Sequence, residues 1–179
     1  WLLPMPGGVL AQAGSSTSSP GPMVAAAADL QFALDEMVAQ FRRETGVDAR
    51  VTYGSSGNLA RQIEQGAPYE LFLSADEAYV LRLAERGLTR GRGDLYAIGR
   101  IVLFVPHGSP LQADPQLAGL ARRLESGQLE RLAIANPEHA PYGRAAEQAL
   151  RKVGLWERVQ PHLLFGENVS QAAQFAASG

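Results

Sequence analysis

The sequence contains no cysteine, which excludes disulfides, thiolate zinc sites, iron–sulfur clusters and cysteine nucleophiles. Aromatic residues make up only 7%, and neither charge sign dominates: 16 Lys and Arg stand against 18 Asp and Glu, for a net charge of −2. A nucleic-acid binder would need a basic surface or a local basic patch, and neither is present. No apolar run is long enough to span a bilayer. No G-x-G-x-x-G or Walker A pattern follows a strand, so no nucleotide site is indicated. His107, His139 and His162 share no metal-ligand spacing such as H-E-x-x-H and read as solvent-facing or structural. What remains is 179 residues, 46% of them hydrophobic, enough to bury a core in one domain or two small lobes.

The chain opens on an uncharged apolar stretch, WLLPMPGGVLAQAG. It reads as the tail of a secretory signal peptide over residues 1–13, because Ala11-Gln12-Ala13 has the small-x-small pattern that precedes a cleavage site. Export is the expectation that follows. Residues 14–22 form a Ser/Gly/Pro-rich leader without periodicity.

From Met23 short apolar runs alternate with amphipathic stretches, the mark of an α/β fold with largely parallel strands. Strands are predicted at Met23 to Ala28, Val47 to Tyr53, Leu71 to Ser74, Leu132 to Ala135 and near Leu163 to Phe165, with a longer β-rich run at Tyr96 to Val105. A helix is predicted from Asp29, as its cap, to Glu44, with Leu30, Leu34, Met37, Val38 and Phe41 on its inward face. Further helices are predicted after Gly57 to about Gln65, from about Asp76 to Arg86, around Pro115 to Glu125, from about Gly143 to Val153 and from about Ser170. Two α/β lobes joined by the central run are expected, residues 23–101 and 102–179. Arg90 with Arg92, Arg122-Arg123 and Arg151-Lys152 read as solvated faces.

Four strand-to-helix junctions share a character: Ala28-Asp29, Ser55-Ser56-Gly57, Pro141-Tyr142-Gly143 and Asn168-Val169-Ser170 are small or polar. Each leaves unpaired N–H groups at a helix start, where the partial positive charge suits an anion. In open α/β sheets such junctions lie where ligands bind, beyond the carboxyl ends of the strands. Ser and Asp are also simply common caps, and that plain reading holds for any one junction taken alone.

The stretches VAAAADLQFALDEMVAQF, VTYGSSGNLARQIEQGAPYELFLSAD, YAIGRIVLFVP, LAIANPEHAPYGRAAEQAL and GENVSQA, in that order from Val24, resemble the periplasmic molybdate-binding proteins of molybdate ABC transporters. The most specific part is GSSGNLARQIEQGAP followed by LFLSAD. The resemblance implies a two-lobed, type II periplasmic-binding-protein fold that closes over one tetrahedral oxyanion. It implies a protein that is not an enzyme and has no cofactor, whose ligand is molybdate and usually tungstate. Its partner would be a permease in the inner membrane, with the binding protein itself a monomer. Molybdenum would be held only as its oxyanion. Carried over position by position, the binding residues fall on Ala28 and Asp29 in the first loop, Ser56 beside Ser55 in the second, Tyr142 in the Pro-Tyr-Gly turn and Val169 at the last helix. Two departures accompany the match: the first loop of the family usually carries Ser, Thr or Asn where this chain has Ala28 and an acid, and the family chain continues beyond the point matching Gly179. The resemblance therefore implies a partial chain in which both lobes are incomplete, the first lacking its return segment.

A carboxylate facing a dianion at about 4 Å is opposed by about 4 kcal/mol per unit charge at an effective dielectric of about 20. Asp29 must then either cap its own helix, which is the preferred arrangement, or accept a hydrogen bond from a protonated oxyanion such as hydrogen phosphate. Alternatives to molybdate capture are binding of phosphate or sulfate, a ligand-sensing domain of a regulator, and a hydrolase or transferase that uses Ser56. Gly54-Ser55-Ser56-Gly57 is one residue short of the G-x-S-x-G nucleophile elbow.

Overall fold

The computed structural model describes residues 21–178. The expected signal remnant and almost all of the expected leader lie outside the described residues.

The chain builds two parallel sheets. In the first, β1 (Met23–Ala27) is the middle strand, flanked by β2 (Arg50–Gly54) and β3 (Leu71–Leu73), in the order β2-β1-β3. In the second, β4 (Leu132–Ala135) pairs with β5 (Leu163–Gly166). A parallel middle strand is covered on both faces and tolerates no polar side chain, and β1 meets that demand with Val24 and three alanines, all buried. Small side chains there let helices approach closely.

Helix α1 (Gln31–Thr45) ends at Gly46, whose φ of 72° is the left-handed conformation that glycine adopts without strain. It is followed by α2 (Ser56–Glu64), α3 (Glu77–Glu85), α4 (Ala118–Glu125), α5 (Pro141–Lys152), the short α6 (Trp156–Val159) and α7 (Val169–Ser178). Asp76 caps α3 by accepting from the Ala78 N–H at 2.9 Å. The second half has a core of Leu120, Leu129, Ile134, Leu150, Leu155, Trp156 and Val159. The first half has a smaller one, Ala60, Tyr79 and Leu83.

Several expectations need correction. Tyr96 to Val105 forms no strand. Ile98 is 79% exposed and Val102 86%, and no described strand lies alongside to supply ladder hydrogen bonds, without which β-propensity has nothing to act on. The α1 stripe is shallow: Leu30, Leu34 and Val38 are half-buried, Met37 and Phe41 are exposed, and no residue of α1 is fully buried. Helix α4 starts at Ala118 rather than Pro115, because Asp114 first folds the chain into a loop. Its carboxylate accepts from the N–H groups of Gly119, Ala118 and Gln116 at 2.8–3.0 Å, and these bonds, Gly119 foremost, hold its carboxyl below the usual range. The second strand begins at Arg50, the first residue in register with Met23. Arg151 is more than a solvated charge, since its guanidinium lies 5.1 Å from the Trp156 ring centre and pairs with Glu147 at 2.8 Å.

Candidate functional site

Strand register sets the four junctions in two pairs. Ala27 at the end of β1 lies opposite Gly54 at the end of β2, so the turn at Ala28 is beside the start of α2. Ala135 at the end of β4 lies opposite Gly166 at the end of β5, which puts the 136–141 loop beside the start of α7. The carboxyl ends of both sheets then meet along a seam.

Glycine makes the close approaches possible. A Cβ on Gly143 would overlap the Ala135 carbonyl, and one on Gly57 would sit 2.5 Å from the His139 carbonyl oxygen and 2.7 Å from the Tyr79 hydroxyl. Only a residue without a side chain lets α5 pack onto the end of β4 and α2 meet the 136–141 loop in this way.

The seam is stitched by polar bonds. The Gly57 N–H donates to the His139 carbonyl at 3.0 Å, and the Ser55 hydroxyl lies 3.0 Å from His139 Nδ1. The Ser170 hydroxyl donates to the Ala28 carbonyl at 3.0 Å. Arg144 pairs with Asp76 at 2.6 Å, and its guanidinium lies 4.9 Å from the centre of the Tyr79 ring. The Tyr142 hydroxyl donates to the Asp29 carboxylate at 2.8 Å. Burial, followed by this bond and the Asp29 charge, pushes the Tyr142 phenol well above its ordinary range. Tyr96, which donates to the Ser74 carbonyl at 2.8 Å, is raised by burial and by the Asp29 charge.

Among the expected site residues, Asp29, Tyr142 and Val169 line one large open cleft of about 1480 Å³, whose other walls include Ile101 to Phe104 and β4. Ala28 is not among the lining residues but precedes Asp29, and its carbonyl accepts from the Ser170 hydroxyl. Ser56 is not among the lining residues. It is fully buried at the start of α2, where its hydroxyl oxygen accepts from the Ala75 N–H at 2.9 Å.

Asp29 does not cap a helix, as the preferred arrangement required. It lies within a single 3-10 turn, Ala28–Leu30, and no side chain caps either that turn or α1. A phenol opposite offers the carboxylate a stronger donor than its own backbone does.

Two contributors to the seam escape sequence reasoning. Tyr96 heads an apolar run, where its polar tip is the available signal, and Arg144 meets Asp76 and Tyr79 only once the sheets face each other. His139 has the structural role its pattern allows, meeting Ser55 and Gly57. No group of His, Asp and Glu that could hold a metal ion occurs among the described residues. No described helix is long and apolar enough to cross a membrane.

Bacterial extracellular solute-binding proteins match residues 22–179 as a family. The chain belongs to that family. Within it, the chain is 37% identical over 158 residues to a molybdate-binding protein, ModA, of Rhodobacter capsulatus, covering 88% of this chain and 60% of that one. It is 38% identical over 157 residues to the ModA of Azotobacter vinelandii, again 60% of the relative's length. The crystal structure of the A. vinelandii periplasmic molybdate-binding protein superposes with a TM-score of 0.67 at 28% identity, over 88% of this chain and 67% of that one. This solute-binding protein therefore has the α/β type II binding-protein fold and spans about 60% of the length of the curated relatives it matches.

Proposed function

We propose that the protein captures molybdate, and tungstate as its near-isostere, outside the cytoplasm and delivers it to the permease of an ABC importer. The observation that carries this reading is the meeting of four strand-to-helix junctions along one seam, with Asp29, Tyr142 and Val169 on a common cleft. The relatives named as molybdate-binding proteins support molybdate as that anion.

On this reading residues 23–101 and 102–179 act as the two lobes, and the protein works as a monomer. The ion is held by the N–H groups of Ala28, Asp29 and Val169, with Tyr142 completing the shell. Ser56 contributes from behind that shell: by accepting from Ala75 it orients the first turn of α2. Hydrogen bonds to a charged partner contribute roughly 1.5–3 kcal/mol each. About seven of them offset an association cost of roughly 4–15 kcal/mol. Neutral donors suit a permanent dianion, and cavity size then separates molybdate from the smaller sulfate.

A hydrolase using Ser56 finds no support in the polar contacts. The histidine approaches Ser55 instead, which is only 3% exposed, and Ser56 faces the Ala75 amide.

Titration calorimetry of the full-length protein with molybdate, tungstate, sulfate and phosphate tests the assignment. Tight binding of the first two without turnover is expected. Preference for phosphate would move the protein to a different ligand class within the same fold.

A further inference from the structure

The Tyr142 hydroxyl has one proton to donate, and in this structure Asp29 receives it. The groups on either side confirm how specific the placement is. A Cβ on Gly99 would collide with the Tyr142 hydroxyl, so backbone closes one side of it, and Val169 and Asp29 share the cleft that it borders. Tyr142 enters from the start of α5 and Asp29 from the end of β1, so the bond joins the two sheets. A carboxylate oxygen and an oxyanion oxygen are chemically equivalent acceptors for a phenol, and both carry negative charge.

We propose that Asp29 is an internal anion that competes with the bound oxyanion for Tyr142, and so sets how tightly the site holds its ligand. The proposal rests on the oxyanion-binding reading above. When no ligand is present, the Asp29 carboxylate satisfies Tyr142 and bridges the two halves. For an oxyanion to gain the same donor, Asp29 must swing off the phenol into water, which its exposed position permits. Binding is then an exchange of one anion for another, so the net gain from Tyr142 is small. Asp29 thereby lowers affinity and makes release easier, a useful property in a protein that must hand its cargo on. A ligand shifts such an equilibrium only by its differential affinity for the two states.

A double-mutant cycle tests this, using calorimetry with sodium molybdate on full-length wild type, Asp29→Asn, Tyr142→Phe and the double variant. Asp29→Asn removes the charge and keeps the shape, and it is expected to bind molybdate about threefold to tenfold more tightly, tenfold being about 1.4 kcal/mol. Tyr142→Phe is expected to weaken binding little in the wild-type background and severalfold more in the Asp29→Asn background, where the phenol is free for the ligand. Asp29→Ser, checked for folding by circular dichroism, should reproduce the gain if Asn misfolds.

Wild type that binds molybdate while both Asp29 variants bind equally or more weakly overturns the competition and leaves the functional reading standing. Selective loss of phosphate binding in Asp29→Asn also overturns it, because Asp29 would then be accepting a proton from the ligand. Wild type that binds no oxyanion takes down the functional reading, and the proposal with it.

Discussion

The two halves of the molecule use the same strand-to-helix order but fill their interiors differently. Around β4 and β5, Leu120, Ile134, Leu150, Trp156 and Val159 interlock into one cluster of large side chains. Around β1, the middle strand contributes alanines, the buried cluster is Ala60, Tyr79 and Leu83, and α1 leaves Phe32, Met37 and Phe41 exposed. The difference teaches that amphipathic periodicity specifies a helix and its facing, whereas burial depends on what lies opposite. Apolar area stabilises by about 25 cal/mol per Å² only when it is removed from water, and much of the α1 stripe is not.

The largest expected contrast comes from equal truncations in the two cores. Leu120 and Leu83 are both essentially inaccessible, so Leu120→Ala and Leu83→Ala differ mainly in surroundings. Leu120→Ala is expected to lose about 3–5 kcal/mol and Leu83→Ala about 2–3 kcal/mol in urea unfolding, because small or half-buried neighbours let a cavity collapse. Equal losses would erase the asymmetry between the halves.

Gly57→Ala probes the seam between them. The new Cβ meets a backbone carbonyl and a tyrosine hydroxyl, neither of which is the free end of a flexible chain. A loss of about 1–3 kcal/mol is expected, together with weaker anion binding in calorimetry, since the start of α2 must withdraw from His139. A variant as stable as wild type and with unchanged binding would show that the seam tolerates displacement.

The smallest effect is expected on the uncovered helix face. Phe32 is 85% exposed, and Phe32→Ser should change stability by no more than about 0.5 kcal/mol. A loss as large as that expected for Leu83→Ala would mean that α1 is covered in solution.

Much of this organisation was readable in the chain because its causes are local. Ala-rich β1, the periodicity of α1 and the β4 and β5 runs each follow from backbone preference or from periodicity spanning a few residues. The same holds for the four junctions, since a small or polar residue at a helix start is a local device. Two features resisted that reading because each depends on a partner far along the chain. Tyr96 to Val105 has strand composition without a strand beside it, and a ladder needs two chains. Asp29 looked like a cap until a phenol 113 positions away supplied a better donor. That a helix follows each strand was written locally, through propensity and periodicity, although the starts of α1 and α4 were shifted by Asp29 and Asp114 contacts. Which junction atoms face one another, and whether the acid at the cleft meets solvent, a ligand or Tyr142, followed from sheet register and lobe packing, because hydrogen bonds across the seam form only between groups that the whole fold has brought within 3 Å.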